Sequence, residues 1–104
     1  MTFTLIVCTY QRPYPLLKLL NSVRLQSQYP SQIIIVDGSL NNHTKNILDD
    51  NLFNNLEYYK VNEKERGLTK QRNYGIKKVK ESIDVVCFLD DDIVLTELYF
   101  ENLI

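Results

Sequence analysis

The chain has 104 residues, 44% hydrophobic and 24% charged, and its 12 basic and 13 acidic side chains leave a net charge of −1. That length supports one domain, residues 1–104, and the ordinary apolar fraction without low-complexity tracts excludes disorder. Balanced charge excludes a dedicated nucleic-acid binder, which carries a basic excess, and no apolar run reaches the ~18–20 residues of a membrane span.

Residues 2–8 (TFTLIVC) are short and rich in β-branched or aromatic types, which predicts a buried strand. No basic residue precedes this run, so it does not read as a signal peptide. Pro13 and Pro15 suit a loop and the first turn of a helix. Leu16, Leu19, Leu20 and Val23 then fall on one helical face. Residues 32–37 (QIIIVD) form a second strand without alternation, as expected where both faces of a parallel sheet are covered. Residues 41–55 are polar and weakly helical, and residues 56–61 (LEYYKV) are a third, less buried strand. Residues 68–82 predict a helix with apolar positions Leu68, Ile76, Val79 and Ile83. Residues 84–89 (DVVCFL) are a fourth strand. A last helix is expected from Thr96, its N-cap, onward. The chain stops on Leu103-Ile104 as that helix begins, an ending expected of a piece of a longer domain.

The order βαβαβαβα implies an α/β fold, a Rossmann-like open parallel sheet with right-handed crossovers. Cys8 and Cys87 both lie in strands, which reads as buried reduced thiols in a cytoplasmic setting.

Ligands of such sheets bind at the carboxyl ends of the strands, where strand order reverses. Thr9, Tyr10, Gln11 and Arg12 follow the first strand, Asp37-Gly38-Ser39 the second, and Asp90-Asp91-Asp92 the fourth. Three adjacent carboxylates repel one another, and a divalent cation relieves the cost. In extended backbone Asp90 and Asp92 point the same way and can share Mg²⁺ or Mn²⁺ while Asp91 faces elsewhere. The alternative is a solvated strand exit. Asp37 suits a ribose hydroxyl or a base N–H, or else an ordinary Asp-Gly turn in which Gly38 permits a sharp bend or a close ligand. Arg72 interrupts the apolar face of its helix near the same edge. There it can pair with a diphosphate or with the edge aspartates. Tyr10, beside the edge loop, can either face a nucleobase or pack as the other tyrosines do. His43 and the lysines of residues 64–80 receive no role.

The segments TLIVCTYQRP, IIIVDGS, RGLTKQRNYGI and FLDDDIVL, in this order, closely resemble the N-terminal half of the family 2 glycosyltransferases with the GT-A fold. The resemblance covers essentially the whole chain. It implies a nucleotide-diphosphate sugar as donor, with Thr9, Tyr10 and Asp37 lining the nucleotide pocket and Arg72, of an Arg-Asn pair, near the nucleotide. Arg12 and Asp91 are counted with this binding set. Asp90 and Asp92, the D-x-D element, hold Mn²⁺ or Mg²⁺ and the diphosphate. A uridine nucleotide is the expectation from its frequency in the family, and the acceptor (glycan, lipid or protein) is unknown. Many members carry two acidic residues after the second strand, whereas here Gly38 follows Asp37. The resemblance also implies that the acceptor half and the catalytic base lie beyond residue 104. The isolated chain is therefore expected to bind donor weakly and transfer little, and the full enzyme to lie in the cytoplasm or at the inner face of a membrane.

Two other readings compete. DDDIV also fits the D-x-D-x-[TV] motif of haloacid-dehalogenase-type phosphohydrolases, but there the motif follows an early strand and is trailed by well over ~100 residues, and here 12 follow Asp92. The second is a non-catalytic nucleotide-binding or interaction fragment. An uncovered sheet would further favour self-association.

Overall fold

In the computed structural model, which describes residues 1–103, the elements are β1 (Phe3–Thr9), α1 (Pro13–Arg24), β2 (Gln32–Asp37), α2 (His43–Asp50), β3 (Leu56–Lys60), α3 (Leu68–Ile76), β4 (Val85–Asp90) and α4 (Tyr99–Leu103). The four strands are parallel in the order β3-β2-β1-β4. The chain steps outward from β1 to β2 to β3, then returns to the other side of β1. Strand order therefore reverses between β1 and β4, which makes their carboxyl ends the expected ligand crevice.

The central strands read as uninterrupted apolar runs because both their faces are covered. Every residue of β2 is buried, and so is every residue of β1 except Cys8. On one face Phe3, Leu5, Val7, Ile33 and Ile35 pack against Leu16, Leu19, Leu20 and Val23 of α1, Leu48 of α2 and Phe100 of α4. On the other, Ile6, Ile34 and Val36 form a smaller cluster with Val61, joined by Tyr74 of α3 and by Val79. Burying one such side chain is worth ~1.5–3 kcal/mol, so these two layers dominate the stability of the sheet. Cys8 and Cys87 belong to opposite faces, and both thiols are free.

Three expectations need correction. The third helix ends at Ile76, not at residue 82. Beyond it the backbone tightens into turns, and the Gln32 side chain captures the Lys78 carbonyl (2.9 Å) and the Lys80 N–H (3.2 Å). The face of α3 turned to the sheet is Gln71 and Gly75, while Leu68 and Ile76 are 55% and 49% exposed. Gly75 explains this packing: a Cβ there would lie 2.8 Å from Ile6 Cγ2, so the helix approaches the sheet through its smallest residue. The last helix begins at Tyr99, not after Thr96, because the Thr96 carbonyl accepts from Tyr99 N–H and from the Gln26 side chain, which also takes the Phe100 N–H. Ile104 lies outside the described residues. Among the described residues, no helix is long and apolar enough to cross a membrane.

Candidate functional site

A cavity of about 550 Å³ opens at the carboxyl ends of β1 and β4. Thr9, Tyr10 and Arg12 line it from the β1 exit, Asp90, Asp91 and Asp92 from the β4 exit, and Arg66, Gly67, Leu68, Gln71 and Arg72 from the start of α3. Six of the seven residues singled out for nucleotide binding therefore meet in one crevice, together with Asp92. Asp37 does not line it.

Register explains the separation. Asp37 pairs with Thr9 and shares the α1 face with Val7 and Ile35, whereas Asp90 pairs with Cys8 and shares the α3 face with Ile6 and Phe88. A β-strand alternates its side chains, so a one-residue offset puts the two carboxylates on opposite faces. Asp37 is fully buried and both its oxygens are used: Oδ1 accepts from Ser39 N–H (2.9 Å) and Oδ2 from the Tyr58 hydroxyl (2.6 Å). Burial, then this bond, push the Tyr58 phenol well above its usual range. Here Asp37 builds the turn that carries Ser39, whose hydroxyl accepts from Gln11 N–H at 2.7 Å.

The aspartate triplet also departs from the simple alternation. β4 ends at Asp90, and Asp91 and Asp92 form a turn, so the i, i+2 rule for strands stops applying. Asp91 accepts from the Thr9 hydroxyl (2.8 Å), and Arg12 bridges Asp91 (3.5 Å) and Asp92 (3.4 Å). The cation that pairs with Asp91 and Asp92 is thus Arg12. Arg72 lies over the Phe88 ring instead, 5.5 Å from its centroid. Asp90 and Asp92 are exposed, with Asp91 between them only partly so. Among the described residues, no group of three or more histidine, cysteine or acidic side chains is placed to hold a metal ion. Two carboxylates nonetheless match what Mg²⁺ or Mn²⁺ requires of a protein when phosphate oxygens and water complete its shell.

Cys8 is only half-buried and borders the cavity. Burial pushes its thiol up to about 11, opposed by Arg72 and aided by Asp91, so it stays protonated and is a poor nucleophile. Two further contributors escaped the sequence reading. Arg66 donates from Nε to the Gly38 carbonyl (2.6 Å) and lies 6.0 Å from the Tyr10 ring centroid. Gln71 bonds the Thr9 and Val36 carbonyls. A signal for Arg66 was available: the segment leaving β3 starts at the carboxyl edge, so a basic residue just before α3 must lie near it.

The architecture has counterparts among known proteins. The chain superposes on the crystal structure of S. aureus TarS 1-349 with a TM-score of 0.77 at 25% identity, covering 99% of this chain and 31% of that one. Against S. aureus TarS 1-349 in complex with UDP-GlcNAc the TM-score is 0.76 at 25% identity, with 99% and 30% covered. In sequence it is 26% identical over 97 residues to the O-antigen chain rhamnosyltransferase RfbN of Salmonella typhimurium strain LT2, which spans 93% of this chain and 30% of that protein. The chain thus covers about a third of the length of these relatives. Residues 4–104 match the glycosyl transferase family 2 model, and with a parallel sheet of the GT-A type behind that match the chain belongs to this family.

Proposed function

We propose that this chain is the donor-binding part of a glycosyltransferase that uses a nucleotide-diphosphate sugar, with uridine as its nucleoside, and a divalent cation held by Asp90 and Asp92. The observation that carries the reading is the joining of arginines and aspartates in one cavity at the point where strand order reverses. Relatives at similar TM-score include one solved with UDP-GlcNAc, which supports the nucleotide sugar. The acceptor is left open, because the relatives are about three times longer than this chain.

The chemistry follows from charge. Cleaving the sugar–phosphate bond leaves negative charge on the diphosphate, and groups already aimed at that charge lower the barrier. Arg72, in the first turns of α3, offers a guanidinium to the diphosphate. Arg12 holds Asp91 and Asp92 in place until ligand arrives. Asp90 and Asp92 would hold a divalent cation, which would supply further positive charge against the leaving group. Tyr10, 43% exposed on the cavity wall, offers its ring to the base. Thr9 acts through Asp91, since its hydroxyl is committed there. By itself the chain is expected to bind donor without transferring sugar.

The free thiols support a reducing, cytoplasmic setting. Self-association belongs to the same reading: β4 is an edge strand with Val86 and Phe88 exposed, and light scattering is expected to show a dimer or larger species.

Calorimetric titration with UDP tests the central claim. Binding is expected with Mn²⁺ present, at least about tenfold weaker without it, and equally weak in Asp92→Asn with Mn²⁺ present. UDP affinity indifferent to both changes would overturn the metal assignment, and absence of UDP binding under all conditions would overturn the donor reading.

A further inference from the structure

We infer that Gln71 is a positioning residue for the donor site, a clamp that holds the nucleoside side of the crevice in shape. This rests on the donor-binding reading above. Gln71 is 4% exposed, one helical turn inside α3, at a position which the glycosyltransferase motif leaves open. Its carboxamide reaches three separate segments. Nε2 donates to the Thr9 carbonyl (3.2 Å) and the Val36 carbonyl (2.9 Å), and Oε1 accepts from the Gly67 N–H (3.0 Å). Only this orientation of the amide satisfies all three partners, since two are acceptors and one is a donor.

Two of the partners, Thr9 and Gly67, line the cavity, and Val36 lies in the strand behind it. Thr9 precedes Tyr10 and also accepts from Gly38 N–H (3.0 Å), Val36 precedes the Asp37 turn, and Gly67 opens the helix bearing Arg72. Gly38 is small for the same reason: a Cβ there would stand 2.9 Å from Gln71 Oε1 and 3.1 Å from Arg66 Cγ. Its size makes room for the protein's own side chains. The opposite wall, Asp90 to Asp92, is tied to Thr9 and Arg12 by side chains and takes no bond from Gln71. Loss of the clamp therefore acts first on the Thr9–Tyr10 backbone and on the Gly67 end of α3, and reaches Asp91 only through Thr9.

The probe is Gln71→Met, which keeps volume and removes all three bonds. Titrations of UDP and of inorganic pyrophosphate, each with Mn²⁺, are compared with thermal unfolding. The expected result is UDP affinity lowered about tenfold, pyrophosphate affinity lowered by only about two- to threefold because the aspartates and Arg72 feel the clamp indirectly, and a folded variant. Unchanged UDP affinity, or equal loss for both ligands, overturns the clamp. Wild-type chain that binds pyrophosphate but not UDP overturns the donor reading instead. Should Gln71→Met fail to fold, amide exchange of the wild type decides. Slowed exchange at Gly67 and Gly38 on adding UDP supports the clamp, and exchange indifferent to UDP removes it.

Discussion

The two ends of the sheet each bury a glutamine, and the two do different work. At the amino end Gln32, 1% exposed, accepts from the Thr4 hydroxyl (2.8 Å) and the Lys80 N–H (3.2 Å) and donates to Glu57 (2.9 Å) and the Lys78 carbonyl (2.9 Å). At this end Phe3 also packs against Phe100 in a tilted arrangement, with ring centroids 4.8 Å apart. At the carboxyl end Gln71 makes the same kind of three-way tie, yet the groups around it form an open, charged crevice. A buried amide is thus neutral as to purpose. What it ties down decides whether it serves stability or a site.

The largest expected effect comes from Phe3→Ala, which removes a fully buried ring and is expected to cost about 3–5 kcal/mol. Chemical unfolding would show it, while UDP affinity of the folded fraction stays as in wild type. A change in UDP affinity would mean that the two ends are coupled. Gln32→Leu comes next, at roughly 1–3 kcal/mol, because it strands the Thr4 hydroxyl and the Lys78 and Lys80 backbone groups. UDP binding unchanged beside this loss sets Gln32 apart from Gln71.

Tyr58→Phe probes the buried aspartate of the carboxyl end. It leaves Asp37 Oδ2 without its partner, at a cost of roughly 1–3 kcal/mol. Unfolding at neutral pH measures it, and no loss would mean that water or a rotated Asp37 replaces the bond.

Alkaline pH is expected to weaken the fold. Folding holds the Cys8 thiol neutral, with its pKa raised from 9.0 to about 11, and burial raises the Tyr58 and Tyr29 phenols as well. A group raised on folding stabilises the chain below its unfolded pKa and loses that contribution as pH climbs toward the folded value. Stability should therefore fall above pH 9. Cys8→Ala should blunt the first part of that fall, and an identical decline in the variant would remove Cys8 as its source. The smallest effect is expected from Arg12→Gln. Its ion pairs are more than half exposed on the arginine side and add little stability. Mn²⁺ alone should nevertheless bind a few-fold tighter, because one competing positive charge has gone.

Much of the fold was legible in residue order. QIIIVD is β2 residue for residue, and the other strands differ by no more than one residue at an end, because an unbroken apolar run between polar stops has few other solutions. The α1 stripe at Leu16, Leu19, Leu20 and Val23 is buried as its spacing predicts. The helix at 68–82 was misjudged because Leu68 and Ile76 looked like a buried face. A glycine allowing closer approach, and a glutamine with three partners, outweighed that pattern.

Local pattern alone thus determined the alternation of strands and helices, and with it the edge at which polar residues gather, since hydrophobic period and turn residues act over a few positions. Only the tertiary structure decided which of those residues face one another. Strand pairing assigns side chains to faces two by two, and it sent Asp37 into the interior while Asp90 reached the crevice. Apart from Gly67, four positions from Gln71, the partners that gave Arg12, Arg66 and Gln71 their roles lie between 28 and 80 positions away, distances over which the order of residues carries no geometric information.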